Sequence, residues 1–397
     1  MDKAATPMQL FEQVWKQTKS SFHSASMNNK DWVAIGQHYR AKVKKTEALV
    51  EALPIINDML ARLETSHTRL ISKEEPAYYQ LLDIFRGRSL WPEIQKRFNK
   101  VSYPGIGIFT QSIGDKLFVS GIIDGGPAHG VGLQVGDEIL SLDGFSFHPI
   151  NSFIHKTDTS VILQVRSSQQ AESRQISLSP KEISPYRLFA SSIEKSATIR
   201  EINGSKIGYI RIWCYAHPAY QQQLVDILEK GKLKAADALV LDLRGGWGGA
   251  DPAYLSLFSK KIPKVMLQFR NGKTKRLLDK NFSKPKFRWK KPVCLLVDKR
   301  TRSGKEVFAY AFKEYGIGPV IGGPTAGAVI GGTAFFMAED HLLYLAVASL
   351  TCDGKILEGN PIEPDVFIPQ SLPYSQGRDP RLQCALQLMA RSVIPKK

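Results

Sequence analysis

The sequence predicts an α/β core with a helical N-terminal segment and an inserted β-rich domain. Three observations predict it. Apolar residues recur at helical spacing through about the first 100 positions. From about 101 to 181 the chain turns to short apolar runs separated by glycines. From about 182 to 397 buried strand-like runs alternate with amphipathic helices, a pattern that favours a partly parallel sheet covered by helices.

The helical segment, residues 1–100, starts in "PMQLFEQVWKQTKSSF", where Leu10, Phe11, Val14 and Trp15 share one face. In "NKDWVAIGQHYRAKV" Asp31 is placed to cap the next helix. "TEALVEALPIINDMLARL" continues the periodicity, and Pro54 requires a kink or a helix start. The second region, 101–181, contains "YPGIGIF", "GGPAHGVGLQVGDEILSLDG" and the alternating runs "SVILQVRS" and "ESRQISLSP". In the third region, 182–397, "KIGYIRIW", "ADALVLDLRGG" and "KKPVCLLVDKR" read as strands, while "YQQQLVDILEKGKL" and "GKEVFAYAFKEYG" read as helices.

The 397 residues carry a net charge of +17, with basic residues spread along the chain and no nucleic-acid motif. Such a balance favours anionic surfaces as non-specific partners and assigns no specific one. The four cysteines, Cys214, Cys294, Cys352 and Cys384, form no CxxC pair, so neither a disulfide framework nor a zinc site is expected, and no metal or cofactor is called for. No apolar run is long enough for an integral membrane segment. The N-terminal residues show no signal-peptide core, which is expected of a cytoplasmic chain and equally of a periplasmic or secreted one whose leader has been removed.

The chemistry concentrates in a few places. In "TRSGKEVF" Ser303 stands where a strand gives way to a helix, so its hydroxyl and the Gly304 amide lie at the positive end of the helix dipole. A hydroxyl there can attack a carbonyl, and the amide can hold the resulting oxyanion. "DLRGGWGG" ends a strand in a glycine loop whose backbone can approach a substrate and offer a second donor, Gly248 or Gly249. Read alone, Ser303 is as well explained as a helix cap and the glycines as a tight turn. Trp247 inside that loop lines a pocket or simply packs, and takes no role here.

The run from Gly125 to Gly144 closely resembles the signature of PDZ domains, with "PGIGIF" as the matching carboxylate-binding loop: Gly105, Ile106, Gly107 and Ile108. Successive amides of such a loop can cradle a peptide carboxylate while the peptide adds as a strand to the sheet edge. The order "IGYIRI", "LVLDLRGGWGG", "SGKEVF", "GGPTAG", "EGNPIEPDV" resembles the tail-specific, or carboxyl-terminal processing, serine proteases over nearly the whole chain. In most of that family a lysine after the nucleophile helix is the base, with a glutamine four residues later. The matching positions here are Ala328 and Gly332, and neither side chain can accept a proton.

"GPTAGAVIGG" is closer to the core domain of the tricorn protease, a branch of the superfamily that uses Ser-His-Glu and a second serine. That resemblance implies Ser303 as nucleophile, His67 in "RLETSHTRL" as base, and Ser66 and Glu358 of "LEGNPIEPDV" as orienting groups. His217 is the competing base among the other seven histidines. The implied protein is a serine endopeptidase that takes polypeptides with free C-termini through its PDZ groove and possesses the family's capacity to oligomerise. Its alternatives are a pseudoprotease that binds peptides as a scaffold, and a use of the same core to hold an apolar ligand. His67 and Ser303 are expected within hydrogen-bond reach of one another.

Overall fold

The computed structural model describes residues 5–84, 86, 90–278 and 286–393. The chain opens with three helices, α1 (Pro7–Ser21), α2 (Trp32–Val43) and α3 (Leu49–Ala61). Asp31 caps α2 by accepting from the amides of Val33 and Ala34. α3 begins at Leu49 and contains Pro54 in its body. Leu10, Phe11 and Val14 pack with Ile56, Met59 and Leu60 into a core of their own, which reaches Leu343 and Leu345 of the distant sheet.

The segment is not wholly helical. Arg69–Ile71 forms β1, which pairs antiparallel with a strand near the other end of the chain. A three-residue strand carries too little periodicity to stand out between helices. Two further helices follow, α4 (Pro76–Ile84) and α5 (Trp91–Arg97).

β2 (Tyr103–Gly105) then enters a small five-stranded antiparallel sheet made of β3 (Ile108–Ile113), β4 (Lys116–Ile122), β5 (Glu138–Leu142), β6 (Val161–Arg166) and β7 (Arg174–Leu178), in that order. The chain leaves through β8 (Lys181–Ile183), which pairs with β2, so entry and exit close on each other at Tyr103 and Ile183. Alternating Val161, Leu163 and Val165 of β6 face inward onto Val119, Phe153 and Ile176.

The core begins with α6 (Pro185–Ser196), β9 (Thr198–Ile202), β10 (Ser205–Arg211), α7 (Pro218–Glu229) and β11 (Ala238–Asp242). Next come β12 (Val265–Phe269), β13 (Thr274–Arg276), β14 (Val293–Val297), α8 (Gly304–Glu314) and β15 (Val320–Gly322). The chain ends with β16 (Gly331–Phe336), β17 (Leu342–Cys352), β18 (Lys355–Ile356), β19 (Val366–Phe367) and α9 (Pro380–Val393).

One sheet runs β19-β15-β14-β11-β10-β9, parallel except at β9. Its central strands β11 and β14 are buried along their whole length, as parallel strands covered on both faces must be. The second sheet is antiparallel and built around the long β17, which pairs with β1, β12, β16 and β18.

Trp213, fully buried after β10, fastens the small β domain to this core. Its Nε1 donates to Asp124 at 3.1 Å, and its ring stacks on Phe109 with centroids 5.2 Å apart. Burying an aromatic of this size contributes about 3 kcal/mol. Arg300 adds a bond from its guanidinium to the Ser120 carbonyl, and Tyr374 donates to Glu138 from the C-terminal side. No helix among the described residues is long and apolar enough to cross a membrane.

Candidate active site

β14 ends in Val297, and the turn after it delivers Ser303 to the N-cap of α8. Ser303 has φ +58° and ψ −130°, a conformation that side-chain-bearing residues rarely adopt and that costs about 1–3 kcal/mol. Two contacts hold it. Its amide donates to the Ala328 carbonyl at 2.9 Å and to Glu306 Oε2 at 3.0 Å. The Glu306 carboxyl also accepts from the amides of Gly327 and Ala328 and from the Thr325 hydroxyl. Burial pushes its pKa up, while those four donors favour the ionised form.

The glycine loop after β11 folds directly against this turn. A Cβ on Gly248 would lie 2.6 Å from the Ser303 Cβ, and one on Gly304 would lie 2.5 Å from the Ala250 amide nitrogen. Only hydrogen fits at either position, so both residues must be glycine for the loop to touch the helix start. The Gly248 carbonyl is turned away to accept from Tyr215 N at 3.1 Å. No hydrogen bond engages the amides of Gly248, Gly249 or Gly304 among the described residues.

Ser66 and His67 come from the loop between α3 and β1. Glu358 arrives from the loop after β18, 292 positions away. One carboxylate oxygen of Glu358 accepts from the Ser66 amide at 2.8 Å. The other accepts from the Ser66 hydroxyl at 2.9 Å and from the Val329 amide at 2.7 Å. Ser66 Oγ lies 2.8 Å from His67 Nδ1. A serine hydroxyl has one proton, and here it is directed at Glu358 Oε2. Nδ1 must therefore be the protonated nitrogen that donates to Ser66, which leaves the lone pair on Nε2.

His67 is 5 % exposed and has φ +57°. Its ring packs on Tyr344 with centroids 5.1 Å apart. Burial, and then the Arg302 guanidinium, push its pKa down to about 3.

His67, Ser303, Gly304, Gly248 and Gly249 line one cavity of about 580 Å³. Its other walls include Val307, Leu267, Ile330 and Leu350. No hydrogen bond joins His67 to Ser303 Oγ among the described residues; the two meet across the cavity rather than in contact. Catalytic hydrogen bonds are often longer before substrate closes the site.

His217, the competing base, lines the same cavity, but its Nδ1 accepts from the Ala219 amide at 3.2 Å as the cap of α7. Ala328 contributes backbone instead of a proton acceptor, and Gly332 lines the cavity without a side chain.

A second cavity, of about 700 Å³, is lined by Gly105, Ile106, Gly107 and Ile108 and by the β3 edge. The carbonyls of Ile106 and Gly107 are turned inward to the amides of Ala128 and Ile123. This groove continues to Trp247, Arg302 and Ala328, and Trp247 and Arg302 line both cavities. Arg302 lies 5.7 Å from the Trp247 ring centroid. Trp247 Nε1 donates to Gln80 Oε1 at 2.7 Å, and Gln80 donates to the Tyr103 hydroxyl at 3.0 Å. Sequence reasoning assigned nothing to Arg302, Gln80 or Lys305. Lys305, in the first turn of α8, is buried completely.

Residues 206–368 match the model of peptidase family S41, residues 3–61 that of the tricorn protease C1 domain, and residues 93–179 that of the PDZ domain. The S41 match falls on the α/β core, with the tricorn C1 and PDZ matches on its N-terminal side. The chain is 24% identical over 393 residues to a carboxyl-terminal-processing protease of Picosynechococcus, covering 96% of this chain and 89% of that one. It is also 24% identical over 426 residues to tricorn protease homolog 1 of Streptomyces coelicolor, covering all of this chain and 36% of that one. The solved photosystem II D1 C-terminal processing protease shares the fold at 20% identity and a TM-score of 0.55, with 99% of each chain covered. The S41 match and the carboxyl-terminal-processing relatives indicate a serine peptidase, and the helical N-terminus, PDZ domain and mixed α/β core are those of the S41 protease fold.

Proposed function

We propose that this serine peptidase is an endopeptidase of the Ser-His type, which draws polypeptides in by their C-termini. The observation that carries the reading is the hydrogen-bonded series Glu358–Ser66–His67 on the wall of the cavity that Ser303 also lines. Ser303 Oγ attacks the scissile carbonyl carbon while His67 Nε2 takes its proton. The carbonyl π electrons move onto oxygen, and the amides of Gly304 and of Gly248 or Gly249 hold that oxyanion. His67 then protonates the departing amine, leaving an acyl-enzyme. Water, deprotonated by the same nitrogen, releases the second product and restores Ser303. Ser66 and Glu358 keep His67 in the accepting tautomer throughout.

The PDZ loop Gly105–Ile108 receives the free carboxylate, and the chain beyond it reaches the catalytic cavity past Trp247 and Arg302. Names of relatives that process carboxyl termini support this polarity. The domain limits that go with it are 1–100, 101–181 and 182–397.

The test is cleavage of an unstructured protein with a free or an amidated C-terminus, by wild type, Ser303→Ala and His67→Ala. Cleavage lost in both variants, and faster for the free C-terminus, is expected. Activity kept in His67→Ala would move the base to His217. Peptide binding without cleavage by wild type would favour the scaffold.

A further inference from the structure

Lys305 has no exposed surface, although it is only two residues past Ser303. Its ammonium donates to the carbonyls of Trp213 and Gly245, at 3.0 Å each. No carboxylate bonds to it among the described residues, and it lines neither of the two cavities described above. A lysine is costly to bury, and one that bonds only to neutral carbonyls recovers little of that cost. The position is therefore expensive to the fold, and a use should be sought in what the two carbonyls belong to.

Both belong to the support of the glycine loop. Gly245 and Gly246 have φ +67° and +64°, and a Cβ on Gly246 would stand 2.0 Å from the Trp213 carbonyl oxygen. The loop thus lies directly on the Trp213 backbone, which also accepts from the Trp247 amide at 2.7 Å. Three residues farther along, the same loop packs Gly248 against Ser303 and Gly249 against Gly304. Lys305 itself belongs to the first turn of the helix that presents Gly304.

We propose that Lys305 is the positioning residue of the oxyanion hole: by bonding Trp213 and Gly245 from the first turn of α8, it fixes the glycine-loop amide relative to the Gly304 amide. It touches no substrate and accepts no proton from Ser303. The inference rests on the Ser303 and glycine-loop reading above.

The experiment compares wild type, Lys305→Met and Ser303→Ala in full-length chains. The readouts are kcat, KM, thermal midpoint and inhibition by a peptidyl boronate, whose tetrahedral adduct with a serine places an oxygen in the oxyanion hole. Methionine keeps the length and removes the donors. The expected result is a kcat lowered about 10- to 100-fold with KM little changed, boronate inhibition weakened to match, and a thermal midpoint equal to or above wild type.

Unchanged kcat in a folded Lys305→Met would overturn the proposal. So would a parallel loss of activity and thermal midpoint, which marks a merely structural lysine. Lys305→Gln, which retains an amide donor on a shorter stem, is the second variant. Failure of both variants to fold also refutes the proposal, because it makes the ammonium a requirement of the fold. A wild type that does not cleave, or a Ser303→Ala that still does, sinks the underlying reading and this one with it. An active wild type beside an undiminished Lys305→Met sinks this one alone.

Discussion

Glu358 grips Ser66 at two points, the backbone amide at 2.8 Å and the hydroxyl at 2.9 Å. The pair ties the loop after the N-terminal helices to the loop after β18. Glu358→Gln keeps one carbonyl oxygen but replaces the other acceptor with an NH₂ group, which must face either the Ser66 amide or the Ser66 hydroxyl and the Val329 amide. The Ser66 proton is then held less firmly, and the His67 tautomer is less strictly dictated. We expect kcat to fall about 10- to 100-fold, with KM and the thermal midpoint changed far less. Steady-state kinetics beside a melting curve decide it, and an unchanged kcat would remove Glu358 from the orienting role.

The pH profile offers a separate test. A free histidine titrates near 6.5, whereas burial and Arg302 lower His67 to about 3. With His67 as the proposed base, ready when neutral, activity should survive acidification well past the usual histidine range, with kcat/KM level from pH 8 to about 5. Arg302→Gln removes one of the two causes and should move the acid limb upward. The linked stability has a definite sign. Between about pH 6.5 and 3 the unfolded chain binds this proton and the native chain does not, so His67 makes stability fall as pH falls through that window. An acid limb near 6.5 that ignores Arg302→Gln would show that another group controls it.

Much of this arrangement is legible in the order of residues along the chain, and the reasons are local. Ser303 stands at a strand-to-helix junction, and Gly248 and Gly249 follow a buried strand, so backbone chemistry points to them once they are taken together, although each alone reads as a cap or a tight turn. Ser66, His67 and Glu358 need the resemblance to a known motif, because nothing in their spacing brings together positions 292 residues apart. Lys305 is not legible at all. Sequence periodicity treats the first turn of a helix as solvated, and only the glycine loop folding across that turn buries the ammonium. The strand at Arg69–Ile71 is hidden for a related reason, since its partner β17 lies at the far end of the chain. Trp247 is legible as an aromatic in a glycine loop, but its place between two cavities depends on how the β domain docks.

The peptide groove can be tested apart from the chemistry. Gly107 has φ +73°, and a Cβ there would meet Gly126 Cα at 3.3 Å and Pro127 Cδ at 3.4 Å. Gly107→Val strains the loop and crowds the turn that holds its carbonyls inward. We expect KM to rise several-fold for substrates ending in a free carboxylate, with little change for amidated ones. Equal effects on both classes would mean that the loop does not read the carboxylate.

Lys305 also has a signature in stability. Burial lowers its pKa to about 7. In the unfolded chain a lysine titrates near 10.4. Below pH 7 both states carry the proton, and the full cost of burying the ammonium opposes folding. Between about 7 and 10 the native chain sheds the proton while the unfolded chain keeps it, so this group makes stability rise with pH. Buried thiols work against that trend, because burial raises the pKa of Cys294 and Cys352 in the native chain, and unfolding then releases their protons as pH rises. The wild-type curve alone therefore mixes opposing slopes. The difference between the wild-type and Lys305→Met curves isolates the lysine. Chemical denaturation at pH 6.5, 8 and 9.5 should show the variant's advantage shrinking steadily as pH rises. A constant difference would mean that the buried amine keeps its proton across the range.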